Sequence, residues 1–243
     1  YYCDKMGMLV WQDMPSKNFD ENGSIGSQDF IRQNFYDECT RVVNTLKNHP
    51  CIVVWVAYNE GWGQYASGND VHTRQGVEAI RNADSTRLID AASGWVDFEV
   101  GDIIDQHSYP VPSLQSNPLN ERVAVCGEYG GITLKVDGHL WKGNDMEYTS
   151  VPDSKALAER FNAYTVALQG LQEQGLWASV YTQTSDVEQE LNGLLTYDRK
   201  VFKIAPEERA SVREEILRTI HNRSRQTVVV GAADTSSDEA WSY

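Results

Sequence analysis

The chain has 243 residues, 21 of them basic and 35 acidic, which gives a formal net charge of −14. That balance argues against a nucleic-acid partner, because phosphate backbones are held by clustered Lys and Arg. At 41% hydrophobic, 10% aromatic and 23% charged residues, the composition is that of a globular protein, and one α/β unit of roughly 250 residues is within range.

The longest apolar run, 51–58 (CIVVWVAY), falls far short of the ~20 residues a bilayer helix needs, so no membrane span is expected. The first residue is Tyr1 and no charged-then-apolar leader follows it, so the start of the gene product is expected to lie upstream. No compartment can be read from it, and a periplasmic or secreted location stays open. Cys3, Cys39, Cys51 and Cys126 show no metal-ligand spacing and read as buried free thiols.

In chain order, Met8–Gln12 (MLVWQ) reads as a buried strand that stops at Asp13-Met14-Pro15. Ser27 can cap a helix with Ile31, Phe35, Cys39, Val42, Val43 and Leu46 on one face. The run 51–58 is a second strand, and 71–83 a second helix. Strands follow at 88–93 (LIDAAS), 102–109 (DIIDQHSY) and 122–130 (RVAVCGEYG). A helix capped by Asp153 or Ser154 carries Leu157, Phe161, Tyr164, Leu168 and Leu171, and 176–183 (LWASVYTQ) is the last strand. Pro206 opens a final helix whose inner side should hold Val212, Ile216, Leu217 and Ile220.

Strands buried on both faces that alternate with amphipathic helices imply a parallel sheet covered by helices. Six strands against the eight of a closed (β/α)8 TIM barrel suggest that the first two β/α units lie upstream. Residues 1–223 are then a partial barrel, and 224–243, polar and acidic, a linker or the start of a following domain.

The chemistry gathers at strand ends. Asn59-Glu60 closes the 51–58 strand and is followed by Gly61-Trp62-Gly63; Glu128 closes the 122–127 strand inside GEYGG. The carboxyl ends of parallel strands are where barrel enzymes place their active sites. Two such glutamates are what two-carboxylate glycoside hydrolysis requires. An isolated loop glutamate would be a solvated side chain; the pairing turns the balance. Five histidines without HxH or HExxH make a catalytic zinc site unexpected, and no cofactor is expected.

The segments NHPCIVVWVAYNEGWG, CGEYGG and VYTQTSDVEQELNGLLTYDRKV resemble glycoside hydrolase family 2, the group of β-galactosidases, β-glucuronidases and β-mannosidases. The resemblance runs from YYCDKMGMLVWQDMP to TYDRKV and implies the last three quarters of that family's catalytic TIM barrel, within a longer chain that carries other domains. It implies a retaining exo-β-glycosidase with a carbohydrate substrate, Glu60 as acid/base and Glu128 as nucleophile. By the same resemblance Asn59 bonds the sugar 2-hydroxyl and Tyr109 the nucleophile.

His107 ends the same strand as Tyr109 and should face the same mouth, although a structural histidine is as good an account of it. Trp62, His139 and Trp141 lie in loops after catalytic strands and could stack on or bond a sugar, or pack beneath those loops. Asp13 is a lesser candidate. The family often has tryptophan in the last barrel strand, where this chain has Tyr181 and Gln183. Family glucuronidases carry Asn-x-Lys before a glycine; here the stretch is Glu190-Leu191-Asn192. Without that lysine a neutral sugar is implied, of β-galactosidase type, with β-mannosidase, β-glucuronidase or a silent sugar-binding barrel as alternatives.

Overall fold

A computed structural model describes residues 1–16, 29–64, 70–115, 121–141 and 148–222. The cap expected at Ser27 and the tail 224–243 lie outside the described residues. Helix α1 (Tyr2–Met6) ends at Gly7, whose φ of 70° is cheap only without a Cβ. The chain then runs through strand β1 (Val10–Asp13), helix α2 (Asp29–Leu46), β2 (Ile52–Val56), α3 (Val71–Ala83) and β3 (Leu88–Asp90). Strands β4 (Ile103–Ser108) and β5 (Val123–Gly130) follow, then the short pair β6 (Ile132–Thr133) and β7 (Thr149–Ser150). Helix α4 (Ser154–Glu173), β8 (Ala178–Thr182) and α5 (Pro206–Asn222) complete the order.

All strand pairs are parallel, in the orders β1-β2-β3, β4-β5-β8 and β6-β7. The two larger sheets meet where Asp102 N–H donates to Ile89 O (2.8 Å) and Ile89 N–H to the Asp102 carboxylate (2.8 Å). The described residues form no closed sheet; β1 and β8 are edges.

Helices α2 and α3 cover the outer face of the first sheet. Their residues Phe35, Cys39, Val43, Val77 and Ile80 pack with Trp55, Tyr58 and Ile89, so the four-residue spacing read in the sequence is a buried stripe. On the second sheet, Leu157, Phe161, Tyr164 and Leu168 of α4 and Val212 of α5 pack with Cys126 and Tyr129. Asp153 is the cap of α4, accepting from Ala156 N–H at 2.8 Å. A third, smaller cluster fills the inner side of the strands with Val54, Val56, Ile103 and Val125.

Two expectations are corrected. Helix α5 buries Val212 and Thr219 but leaves Ile216 and Ile220 exposed. It docks on α4 through a polar ladder, Gln169 Nε2 donating to Glu215 Oε1 (2.7 Å) and Thr219 Oγ1 (3.1 Å), which rotates the contact face off the apolar stripe. All four cysteines are free, but only Cys39 and Cys126 are buried. Cys3 and Cys51 are half-buried; Cys51 donates its N–H to Asp4 at the edge beside α1 (2.9 Å). No helix among the described residues is long and apolar enough to cross a membrane.

Candidate active site

Beyond Val56 the chain stays extended beside the segment after β3. Ala57 N–H donates to Asp90 O (2.8 Å), Ser93 N–H to Tyr58 O (2.9 Å) and Glu60 N–H to Ser93 O (2.7 Å). Glu60 then turns with φ 53°, ahead of Gly61 at φ 82°. A left-handed conformation is natural for the glycine but disfavoured by about 1–2 kcal/mol for a glutamate. Held by Ser93, this turn directs the Glu60 carboxylate toward His107.

Glu128 reaches the same place by a different device. Val125 lies opposite Asp105 on β4, and Glu128 opposite His107. Three residues of β5 thus match two of β4, which is a β-bulge centred on Cys126 and Gly127. Strict alternation from Val125 would bring Gly127 inward and Glu128 outward; the extra residue reverses this. Gly127 N–H donates to Asp105 Oδ1 (2.5 Å), and a Cβ at 127 would overlap the Asp105 carboxylate. Only glycine fits this bulge.

The two carboxylates meet at one imidazole. His107 Nδ1 lies 2.9 Å from Glu60 Oε1 and 3.5 Å from Glu128 Oε2, and the three groups have facing atoms within 4.8 Å of one another. Tyr109 donates its hydroxyl to Glu128 Oε2. Such spacing would admit a cation, but His107 Nδ1 already bonds Glu60 and the Tyr109 hydroxyl Glu128, so the arrangement is better described as a carboxylate pair sharing an imidazole.

Burial pushes the Glu128 pKa up; His107 and the Tyr109 hydroxyl pull it back, and Glu60 and Asp105 add to the rise. Burial of the His107 ring works against its charged form. The bond to Glu60 and the charges of Glu128 and Asp105 outweigh this, so its pKa is raised. Burial, then the bond to Glu128, raises the Tyr109 pKa, which keeps the hydroxyl a donor.

The His107 side chain is fully buried, with Nδ1 facing Glu60 and Nε2 2.7 Å from Ser93 Oγ. Behind it lie residues that sequence reasoning missed. Ser93 Oγ also donates to Asp105 Oδ2 (2.9 Å), and burial, then the charge of Asp105, raises the pKa of Asp90. The available signal was strand parity, since Asp105 and His107 are two apart on one strand and Asp90 interrupts an apolar one. Asp13 is near this group: surrounding protein, then Glu128, push its carboxyl up to about 6. Its own surface is open to water, which weakens that effect.

The remaining candidates spread outward. Asn59 is half-buried and its Oδ1 has no partner among the described residues. Trp62 is half-buried, its N–H bonded to Asn59 O (2.9 Å). Gln183 Nε2 donates to Asn192 Oδ1 (2.7 Å) and Glu190 Oε2 (3.1 Å). His139 Nδ1 is paired with Asp198 (2.8 Å), and Trp141 is exposed with its ring edge-on to Tyr197 at 5.4 Å. Two exposed aromatics at the site went unnoticed. Trp95 stands edge-on to His107 at 5.9 Å, and Tyr148 lies against Tyr109 at 4.9 Å. Trp95 follows a strand end, as Trp62 does, and that position was the usable clue.

Parallel strands covered by helices, with two carboxylates converging at their carboxyl ends, define an α/β domain of barrel type built around a two-carboxylate site. The chain belongs to glycosyl hydrolases family 2: the model of that family's TIM barrel domain matches residues 2–214. No curated protein matches the chain. Among solved structures it is similar to a GH2 β-galacturonidase from Eisenbergiella tayi bound to galacturonate (15% identity, TM-score 0.66, 88% of this chain and 42% of that one). An FMN-binding β-glucuronidase from Facaelibacterium prausnitzii L2-6 aligns with 18% identity and TM-score 0.58, over 83% of this chain and 34% of that one. A β-glucuronidase from an uncultured Clostridium sp. gives 18%, 0.56, 88% and 41%. These likenesses carry the fold. The chain spans about a third to two fifths of the length of these relatives.

Proposed function

We propose that this chain carries the catalytic site of a retaining exo-β-glycosidase that acts on a neutral sugar, β-galactosidase-like in type. The observation that carries the proposal is the meeting of Glu60 and Glu128 at His107, with facing atoms within 4.8 Å. Retaining enzymes hold their carboxyl groups about 5–5.5 Å apart, inverting ones about 6.5–9.5 Å, and the close approach supports retention.

In the first step the Glu128 carboxylate attacks the anomeric carbon while the glycosidic C–O bond breaks and Glu60 passes its proton to the leaving oxygen. In the second, Glu60 takes a proton from water as that water displaces Glu128 from the sugar. Tyr109 steadies the Glu128 oxygen in both. Asn59 Oδ1, without a partner among the described residues, is placed to accept a sugar hydroxyl, a contact that strengthens in the transition state.

The charge of the mouth supports a neutral sugar. Burial, then the charges of Glu190, Glu60 and Glu128, raise the Tyr148 pKa, so three carboxylates act on that aromatic ring. Gln183, whose Nε2 also donates to Asn192, holds Glu190 there, and a uronic carboxylate would meet repulsion. β-Glucuronidase and β-mannosidase activities are the alternatives, and a silent sugar-binding barrel is a third. Aryl β-galactoside, β-mannoside and β-glucuronide assayed with the full-length protein test the sugar, and fastest turnover of the glucuronide would overturn the neutral assignment. A 2-fluoro-β-glycoside that labels Glu128 is expected; reversible binding without label would point to the silent barrel.

A further inference from the structure

We propose that Asp105, acting through Ser93, is the positioning residue that holds the His107 ring charged and fixed between Glu60 and Glu128. The inference rests on the two-carboxylate reading of the site. Its geometry is a continuous chain: Glu60 Oε1 to His107 Nδ1 (2.9 Å), His107 Nε2 to Ser93 Oγ (2.7 Å), Ser93 Oγ to Asp105 Oδ2 (2.9 Å).

A hydroxyl has one proton. If Ser93 donates to Asp105, its oxygen must accept from His107, so Nε2 bears hydrogen. Nδ1 faces carboxylate oxygens and is best served by bearing hydrogen too, and a ring protonated at both nitrogens is the cation.

The lower end of the chain has its own logic. Asp90 Oδ1 accepts from Ala92 N–H (3.1 Å), while its buried Oδ2 has no partner among the described residues. Burial, followed by the charge of Asp105, raises the Asp90 pKa. Asp105 accepts from Ser93 and from Gly127 N–H, as an anion does, and the compensation for its buried charge is His107.

The groups that face or act on His107 come from every neighbouring strand: Asp13 at the end of β1, Glu60 after β2, Ser93 and the Trp95 ring after β3, Glu128 on β5 and Asp105 on its own strand. His107 is the one group in that set able to become a cation. Removing the Asp105 charge should discharge the ring. Glu128 then loses a cation 3.5 Å away and gains less from the departure of the more distant Asp105, so its ionisation moves to higher pH.

The experiment is a pH titration of ¹³Cε1-labelled histidine by NMR in the full-length protein, with the kcat/KM profile on an aryl β-glycoside run beside it. In Asp105→Asn, which can still accept from Gly127 N–H, the His107 midpoint is expected to fall by about one pH unit. The acid limb of the profile should rise by about half a pH unit.

Ser93→Ala removes the link without removing a charge and keeps the backbone bonds of residue 93, so it should shift both in the same direction. Asp90→Asn, which lies outside this chain of bonds and can still accept from Ala92 N–H, should lower kcat/KM less than threefold and move neither midpoint nor limb. An unchanged His107 midpoint in both Asp105→Asn and Ser93→Ala, with only a lower Tm, would mark Asp105 as structural and overturn the proposal. A shift in Asp90→Asn as large as in Asp105→Asn would overturn the assignment of the positioning role to Asp105. If the His107 midpoint moves as expected while the parent protein neither turns over nor is labelled by any glycoside, the network stands and the glycosidase reading fails.

Discussion

The outer and inner faces of the same strands are built on opposite principles. Outward, Trp55, Ile89, Cys126 and Tyr129 are buried under helices in close-packed apolar clusters. Inward, a strand that starts with an apolar residue ends with ionisable ones: Ile103 gives way to Asp105 and His107, Val125 to Glu128, and Val54 and Val56 to Glu60. The outer face stabilises through area removed from water, about 25 cal/mol per Å². The inner face spends part of that on burying charge, which is tolerable only because each charge is bonded. The comparison teaches that stability and chemistry are separable here by face, although they alternate along each strand.

Substitutions should therefore divide by face. The largest effect on turnover is expected for Glu128→Gln, which should lower kcat on every aryl β-glycoside by more than about a thousandfold. Stability should move the other way. An acid whose pKa is raised on folding destabilises the protein once pH exceeds its unfolded pKa, so replacing Glu128 by a neutral isostere should raise Tm at pH 7 and leave it little changed at pH 3. A lower Tm at pH 7 would contradict the division.

Glu60→Ala should differ in kind. With an activated leaving group the glycosyl-enzyme still forms, deglycosylation becomes slow, and added azide restores turnover as the β-glycosyl azide. An α-azide product would refute retention.

On the outer face, Phe35→Ala should destabilise by about 3–5 kcal/mol in urea unfolding while kcat per folded molecule stays at the parent value. Proportionate loss of kcat would show that the faces are coupled after all. The smallest effect is expected for Trp141→Ala: KM rises by about three- to tenfold with kcat steady, as for an exposed stacking contact worth about 1 kcal/mol.

The outward face was largely legible in the sequence because burial there follows period. The i, i+4 spacing of Phe35, Cys39 and Val43 and the cap at Asp153 read as they stand. Glu60 and Glu128 could be found as strand-end carboxylates in glycine-rich surroundings. How Glu128 turns inward could not, because the bulge at Gly127 breaks the alternation on which parity rests. The pairing of His107 with Ser93 and Asp105 depends on strands that are adjacent only in the fold, and no spacing along the chain encodes it. The same holds for α5, whose docking by Gln169 was decided by α4 and not by its own apolar stripe.

The left-handed backbone of Glu60 places a residue that chemistry demands where conformation would prefer glycine. Glu60→Gly should make the domain more stable by about 1 kcal/mol while removing its proton donor. Selection for robustness alone would thus erode this position first. A homologue that has lost its catalytic duty should betray itself by a glycine or asparagine there, well before its core changes. Directed evolution for thermal tolerance without an activity screen would take the same route, and its survivors could be counted at codon 60.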